Sequence, residues 1–72
     1  MRVERAEEME GGGWKVLGLR DDGSGERAKC RLLGEGKGDL RIGGTVGVKG
    51  LGWSVDVDGE GMWWVGVGWE GG

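Results

Sequence analysis

The chain has 72 residues, with 20 glycines, no proline, no histidine, one cysteine and a formal net charge of −3. The lack of histidine excludes Ser-His-Asp and Cys-His catalytic sites and His-ligated metal centres, and a single cysteine excludes an internal disulfide and a structural zinc site. This length allows one small domain at most, close to the size at which a hydrophobic core is only just sufficient.

The first thirteen residues are expected to form a short helix and a glycine linker. Val3 and Ala6 lie three residues apart, as on one face of a helix, and good helix formers surround them. Gly11-Gly12-Gly13 then ends the helix. The predicted organisation is therefore residues 1–13, helix and linker, followed by residues 14–72, a single small β domain.

From residue 14 onward the pattern favours strands. Residues 14–20 and 27–33 are two predicted strands, joined by the turn-forming run 21–25. In the second of these, Ala28, Cys30 and Leu32 alternate with Arg27, Lys29 and Arg31, so that one face is apolar and the other basic. Residues 40–49 form a third extended stretch, interrupted by two glycines at which a bulge or bend is expected.

The last third of the chain predicts a β-hairpin. Leu51, Trp53, Val55 and Val57 alternate with small or polar residues, as do Trp63, Val65, Val67 and Trp69. A three-residue loop at 59–61 would pair Val55 with Val65 and gather these eight side chains on one apolar face, since a slip of one residue would mix apolar with polar partners. Trp64 would lie on the other face, across from Asp56.

Taken together, the elements predict a mainly β fold, a small five-stranded antiparallel meander or partial barrel with a short N-terminal helix. In size it is similar to OB and SH3-like barrels. Fifteen of the 72 residues are Leu, Ile or Val, close to the level at which disorder becomes an alternative. Five tryptophans favour a folded chain, because each buries a large apolar area.

One candidate ligand site combines Trp64 with Asp56 and Asp58. An exposed indole beside carboxylates can stack on a sugar ring or hold a cationic group. The alternative is that Trp64 packs beneath the N-terminal helix or caps the end of a barrel.

One candidate metal site is the run 56–61. Asp56, Asp58 and Glu60 alternate as at the opening of a calcium-binding loop, with a turn glycine at position 61. The twelfth position, where such a loop needs a bidentate glutamate, is Val67. The alternative is an acidic hairpin tip with ordinary turn glycines.

One candidate nucleic-acid site is a basic stripe formed by Arg27, Lys29, Arg31 and Arg41. Residues 11–50 carry a net charge of +3, whereas residues 51–72 carry −4. A basic stripe on a β surface can follow the phosphates of a single strand. The acidic sequence pI of about 4.9 argues against a dedicated nucleic-acid binder and favours a solvated strand face.

The leading interpretation is a non-enzymatic interaction module that needs no cofactor and binds an unidentified ligand, another protein being one such partner. A second interpretation starts from the abundant Gly, Trp, Glu and Val, which G-rich codons encode. On this view the chain is the product of a G-rich reading frame with no evolved function. A third is weak binding of single-stranded nucleic acid. Charged residues break up the N-terminus and no apolar run approaches a membrane span, so a cytoplasmic location is expected.

Overall fold

A computed structural model describes residues 1–50, 52, 54–56, 59 and 61–72, and these residues form eight β strands. The strands are β1 (Arg2–Glu8), β2 (Trp14–Leu19), β3 (Arg27–Leu32), β4 (Gly36–Lys37), β5 (Val46–Lys49), β6 (Ser54–Asp56), β7 (Met62–Gly66) and β8 (Gly68–Gly71). The mainly β prediction is confirmed, and β2 and β3 lie where the alternating pattern predicts them.

The strands form two sheets. A five-stranded sheet has the order β1-β2-β3-β7-β6, and a three-stranded sheet has the order β4-β8-β5. Neighbours pair antiparallel except β3 with β7 and β4 with β8, which are parallel. The prediction of a purely antiparallel meander is therefore wrong beyond β3, because β7 joins the sheet beside β3 from far along the chain.

The predicted N-terminal helix is wrong, because Arg2–Glu8 is an edge strand that pairs with β2. The register shifts between Val3 and Arg5, which indicates a β-bulge at Glu4. A bulge places two residues of one strand opposite a single residue of its partner. Side chains on the two sides of the bulge therefore share a face when they are three residues apart rather than two. Val3 and Ala6 therefore both contact the core from a bulged strand, with the spacing that also suits a helix.

The register of the last hairpin also differs from the prediction. Val55 pairs with Trp63 rather than Val65, and Trp64 pairs with Ser54 rather than Asp56. The observed register is displaced by two residues, and such a shift leaves every side chain on its original face. Burial alone therefore does not distinguish the two registers. Leu51, Trp53 and Val57 lie outside the described residues.

The core lies between the two sheets. Among the described residues, its buried members come from β1, β2, β3 and β5, and they are Val3, Val16, Cys30, Leu32 and Val46. Trp69 of β8 packs against them over Gly36, where a Cβ atom would overlap the indole. Hydrogen bonds between residues 1–3 and 43–46 bridge the sheets along one side. The sheets do not close into the predicted barrel, and they form an open two-layer arrangement.

Among the residues that the structure describes there is no helix, and hence none that could cross a lipid bilayer.

Candidate functional site: a basic sheet face

One face of the five-stranded sheet is turned away from the three-stranded sheet and is strongly basic. Strand alternation and register bring six cationic residues to this surface, which is called the basic face below. They are Arg2, Arg5, Lys15, Arg27, Lys29 and Arg31. The chain has ten Lys and Arg residues in all, so most of its positive charge lies on a single surface.

The core residues dictate this placement. Val16 and Cys30 are buried between the sheets, and they pair directly with each other. Because successive side chains of a strand point to opposite faces, Lys15, Lys29 and Arg31 must point away from the core. The cross-strand rows of the basic face are Arg2–Leu19–Arg27, Arg5–Leu17–Lys29 and Glu7–Lys15–Arg31.

Trp63 lies on the basic face although only 3% of it is exposed. Trp64 pairs with Cys30 on the core side, so its neighbour Trp63 points to the opposite side of the sheet. The ammonium of Lys29 lies 5.1 Å from the centroid of the indole, and that of Lys15 lies 5.8 Å from it. Both cations therefore lie within cation–π distance of a buried ring.

Two buried N–H groups of this face have no hydrogen-bond acceptor in the described part of the chain. They are Nε1 of Trp63 and Nε of Arg31. A buried donor left without an acceptor destabilises a fold by about 1–3 kcal/mol. The donors that the face offers to a ligand are its ammonium and guanidinium groups, and the chemistry that complements them is an anion rich in acceptor oxygens.

Acidic side chains also lie among these cations. Glu4, in the bulge of β1, accepts a hydrogen bond at 2.9 Å from the Nη1 of Arg27, whose side chain is 80% exposed. Ion pairs between exposed side chains are weak, about 0–1 kcal/mol, and an incoming anion can replace them. Glu7 lies in the row of Lys15, beside a groove of about 530 Å³. Arg5, Ala6, Glu7, Lys15, Leu17, Lys29 and Trp63 line this groove.

The structure brings together three of the four residues predicted for nucleic-acid binding. Arg27, Lys29 and Arg31 lie along β3 on the basic face, as their alternation predicts. Arg41 lies outside the five-stranded sheet, in the loop between β4 and β5, and its Nη2 is 3.4 Å from Asp39. Sequence reasoning missed the other three cations of this face, Arg2, Arg5 and Lys15.

Of the missed residues, Lys15 has a signal in the sequence and Arg5 has none. Lys15 lies next to Val16 in a predicted strand, and the antiparallel pairing of β2 with β3 places it beside Arg31. Arg5 is hidden because the bulge at Glu4 breaks the two-residue period of β1.

The residues of the other predicted sites are placed differently. Trp64 is 48% exposed, but it lies on the core side of the sheet, whereas Trp63 lies on the opposite face. Trp63 is buried and Trp64 exposed, as predicted, but each indole lies on the side of the sheet opposite to the predicted one. Asp58 and Glu60 lie outside the described residues, and the structure describes only the backbone of Asp56, in β6. The calcium-loop and carboxylate–indole hypotheses thus stay predictions.

Cys30 is a buried thiol, as its place on the apolar face of β3 predicts. Only 4% of the residue is exposed, and burial raises the pKa of the thiol above its ordinary value. A protonated, enclosed thiol is a poor nucleophile.

Comparison with known proteins adds no relative: no protein-family model, curated protein or solved structure matches this chain.

Proposed function

We propose that the chain is a non-enzymatic binding module whose basic face binds the phosphodiester backbone of single-stranded nucleic acid. One observation carries the proposal: six of the ten cationic residues of an acidic chain lie on one face of one sheet. Electrostatic attraction to phosphates supplies most of the affinity of binders that recognise no particular sequence.

The spacing of the cations suits an extended polyanion. Arg27, Lys29 and Arg31 follow one another at every second position of β3, a repeat of about 6.7 Å along a strand. This repeat is comparable to the distance between successive phosphates of an extended single strand. Lys15 of β2 flanks the row beside Arg31, and Arg5 of β1 continues the row of Lys29 toward the edge of the sheet.

The aromatic residue of this face favours recognition of the backbone rather than of bases. Trp63 is buried beneath Lys15 and Lys29, so its ring is covered and does not offer a platform on which a base could stack. Sequence-tolerant binders that hold bases do so by stacking on exposed rings. Binding here is therefore expected to depend on charge and to differ little between base compositions.

The net negative charge of the chain limits the affinity without excluding binding. Glu35, Asp39 and Glu70 lie in or beside strands of the three-stranded sheet, on the far side of a molecule whose shortest dimension is 20 Å. The Debye length is about 10 Å at 0.1 M salt, so these acids are largely screened from the basic face. The proposal therefore predicts weak binding that falls steeply with ionic strength.

Fluorescence anisotropy with a labelled oligo-dT, measured over a series of salt concentrations, tests the proposal. The variant Lys29→Gln/Arg31→Gln removes two cations from the basic face. The matched control Lys37→Gln/Arg41→Gln removes the same charge elsewhere. The slope of log K against log salt should become shallower by about 1.4 in the first variant, about 0.7 for each lost phosphate contact, and should stay unchanged in the control. Equal loss of affinity in both variants, or no binding by the wild type at low salt, would contradict the proposal. Far-UV circular dichroism verifies that both variants are folded.

A further inference from the structure

A cavity of about 420 Å³ lies on the side of the five-stranded sheet opposite the basic face, between the two sheets. Ala28 and Cys30 of β3 and Val46 and Val48 of β5 form apolar walls, and the indole of Trp64 forms another. Its size is near the lower end of the range for small-molecule sites, which are mostly apolar with a few polar groups.

Trp64 is the unusual member of this lining. It is 48% exposed, whereas the adjacent Trp63 is 3% exposed. In a chain with only fifteen large aliphatic residues, an indole would be expected to lie within the core. The exposed surface of Trp64 instead borders the apolar cavity. A molecule that fills the cavity therefore buries apolar surface of both the indole and the cavity walls, and this burial favours binding.

The polar groups at the mouth of the cavity compensate one another's charge. The N-terminal ammonium of Met1 lies 3.0 Å from a carboxylate oxygen of Asp21, and Nη2 of Arg20 lies 2.7 Å from a carboxylate oxygen of Asp22. Because each carboxylate already has a cationic partner, the mouth favours an uncharged ligand over an ionic one. The same carboxylates and the hydroxyl of Thr45 can accept a hydrogen bond from it.

We infer that this cavity binds an uncharged, planar aromatic molecule of one or two fused rings that carries a hydrogen-bond donor. The ring stacks on Trp64 and contacts the apolar walls, and the donor is directed to Asp21 or Asp22 at the mouth. The site is independent of the phosphate-binding proposal, because it lies on the opposite face of the sheet and its carboxylates are paired with cations.

The probe is 2-naphthol, uncharged at pH 7, with the anion 2-naphthoate as its charged counterpart. Titration followed by amide chemical shifts should show saturable 2-naphthol binding, with the largest shifts at Ala28, Val46 and Val48 and none at Arg5 or Lys15. Trp64→Leu should weaken binding about five- to tenfold, the worth of one aromatic stacking contact. Ala28→Leu fills the cavity and should abolish binding. Met62→Leu, which alters an exposed side chain outside the cavity, should leave it unchanged.

Three results would overturn the inference. These are shifts that do not saturate, equal affinity for 2-naphthoate, and unchanged affinity in Trp64→Leu. If Ala28→Leu fails to fold, a second measurement takes its place: the rate at which iodoacetamide alkylates Cys30 in the wild type, with and without 2-naphthol. At a 2-naphthol concentration that slows this reaction about fivefold in the wild type, the reaction in Trp64→Leu should be slowed by about twofold or less. No slowing in the wild type, or equal slowing in the two proteins, would count against the inference.

Discussion

The ammonium of Lys29 lies 5.1 Å from the centroid of the Trp63 ring, across the boundary between the parallel strands β3 and β7. This contact joins a cation proposed to bind phosphate to a ring that is 3% exposed. Stability and binding are therefore coupled on the basic face, because the side chains that supply its charge also cover an indole.

Trp63 and Trp64 are adjacent in the chain but should differ in their contribution to stability. Trp63→Ala removes a buried indole and should lower the free energy of unfolding by about 3–5 kcal/mol. Trp64→Ala removes a half-exposed indole, so its loss in the free energy of unfolding should be smaller than that of Trp63→Ala by at least about 2 kcal/mol. Urea denaturation followed by far-UV circular dichroism measures both, with Trp63→Phe as a milder variant should Trp63→Ala fail to fold. Equal losses at the two positions would show that the faces are assigned incorrectly.

Gly18 tests the pairing of β1 with β2. A Cβ atom at this position would overlap the backbone carbonyl of Arg2, which has no freedom to move while the two strands are paired. Gly18→Ala should therefore destabilise the fold by about 1–3 kcal/mol.

Gly47→Ala is the matched control for Gly18→Ala. Gly47 also lies within a strand, but the nearest atom to its added Cβ is 3.9 Å away, and the substitution should stabilise the chain by about 0.5–1 kcal/mol. If Gly18→Ala is tolerated as well as this control, the N-terminal segment does not pair with β2 as a strand.

The sequence predicts most reliably where the two-residue period is unbroken. β2 and β3 fall within their predicted ranges, and in β3 Ala28, Cys30 and Leu32 alternate with charged residues. β1 was not predicted as a strand, because the extra residue at Glu4 changes the spacing of its core residues from two to three, which also suits a helix. The parallel pairing of Cys30 with Trp64 joins residues 34 positions apart, and no local pattern specifies it.

The candidate site was predictable in part for the same reasons. Alternation alone places Arg27, Lys29 and Arg31 on one surface, whereas the addition of Arg5 requires knowledge of the bulge. The hairpin pattern indicates that Trp63 is the buried indole, as observed, but it does not show which face of β7 turns toward the three-stranded sheet. Its partner strand decides which of the two indoles lies on the core side.

Cys30 should make the fold sensitive to alkaline pH. Burial raises the pKa of the folded thiol above its ordinary value of 9.0, so the protonated form favours the native state. This contribution is complete below the pKa of the unfolded chain and is lost as the pH rises through the folded value. The free energy of unfolding of the wild type should therefore fall more steeply above pH 9.0 than that of Cys30→Ala, as measured in urea at several pH values. Parallel pH profiles would mean that the thiol is not buried.

The turn between β2 and β3 should make the stability of the fold decrease as the pH falls, the opposite direction to the effect of Cys30. The hydroxyl of Ser24 and then its backbone N–H, 3.0 Å from Asp22 Oδ1, hold the pKa of Asp22 below its ordinary value of 3.8. The N-terminal ammonium likewise holds the pKa of Asp21 below its ordinary value. Groups with a lowered pKa stabilise the fold above their unfolded value, and this contribution is lost as the pH falls through the folded one.

Ser24→Ala should separate the two carboxyl groups. It removes the hydroxyl and should raise the pKa of Asp22 toward 3.8 while changing that of Asp21 much less, because the N-terminal ammonium is the main cause of the lowered pKa of Asp21. Titration of the ¹³C carboxyl resonances measures both values. A joint shift, or none, would contradict the assigned hydrogen bonds.

The most direct test of the basic face is a map of amide chemical-shift changes during titration of the wild-type protein with oligo-dT at low salt. The changes should concentrate at Arg5, Lys15, Lys29 and Arg31, with little effect on β4, β5 and β8, and they should disappear as salt is added. Changes centred on the three-stranded sheet, or changes that persist at high salt, would contradict the proposal that this face binds phosphates through its charge.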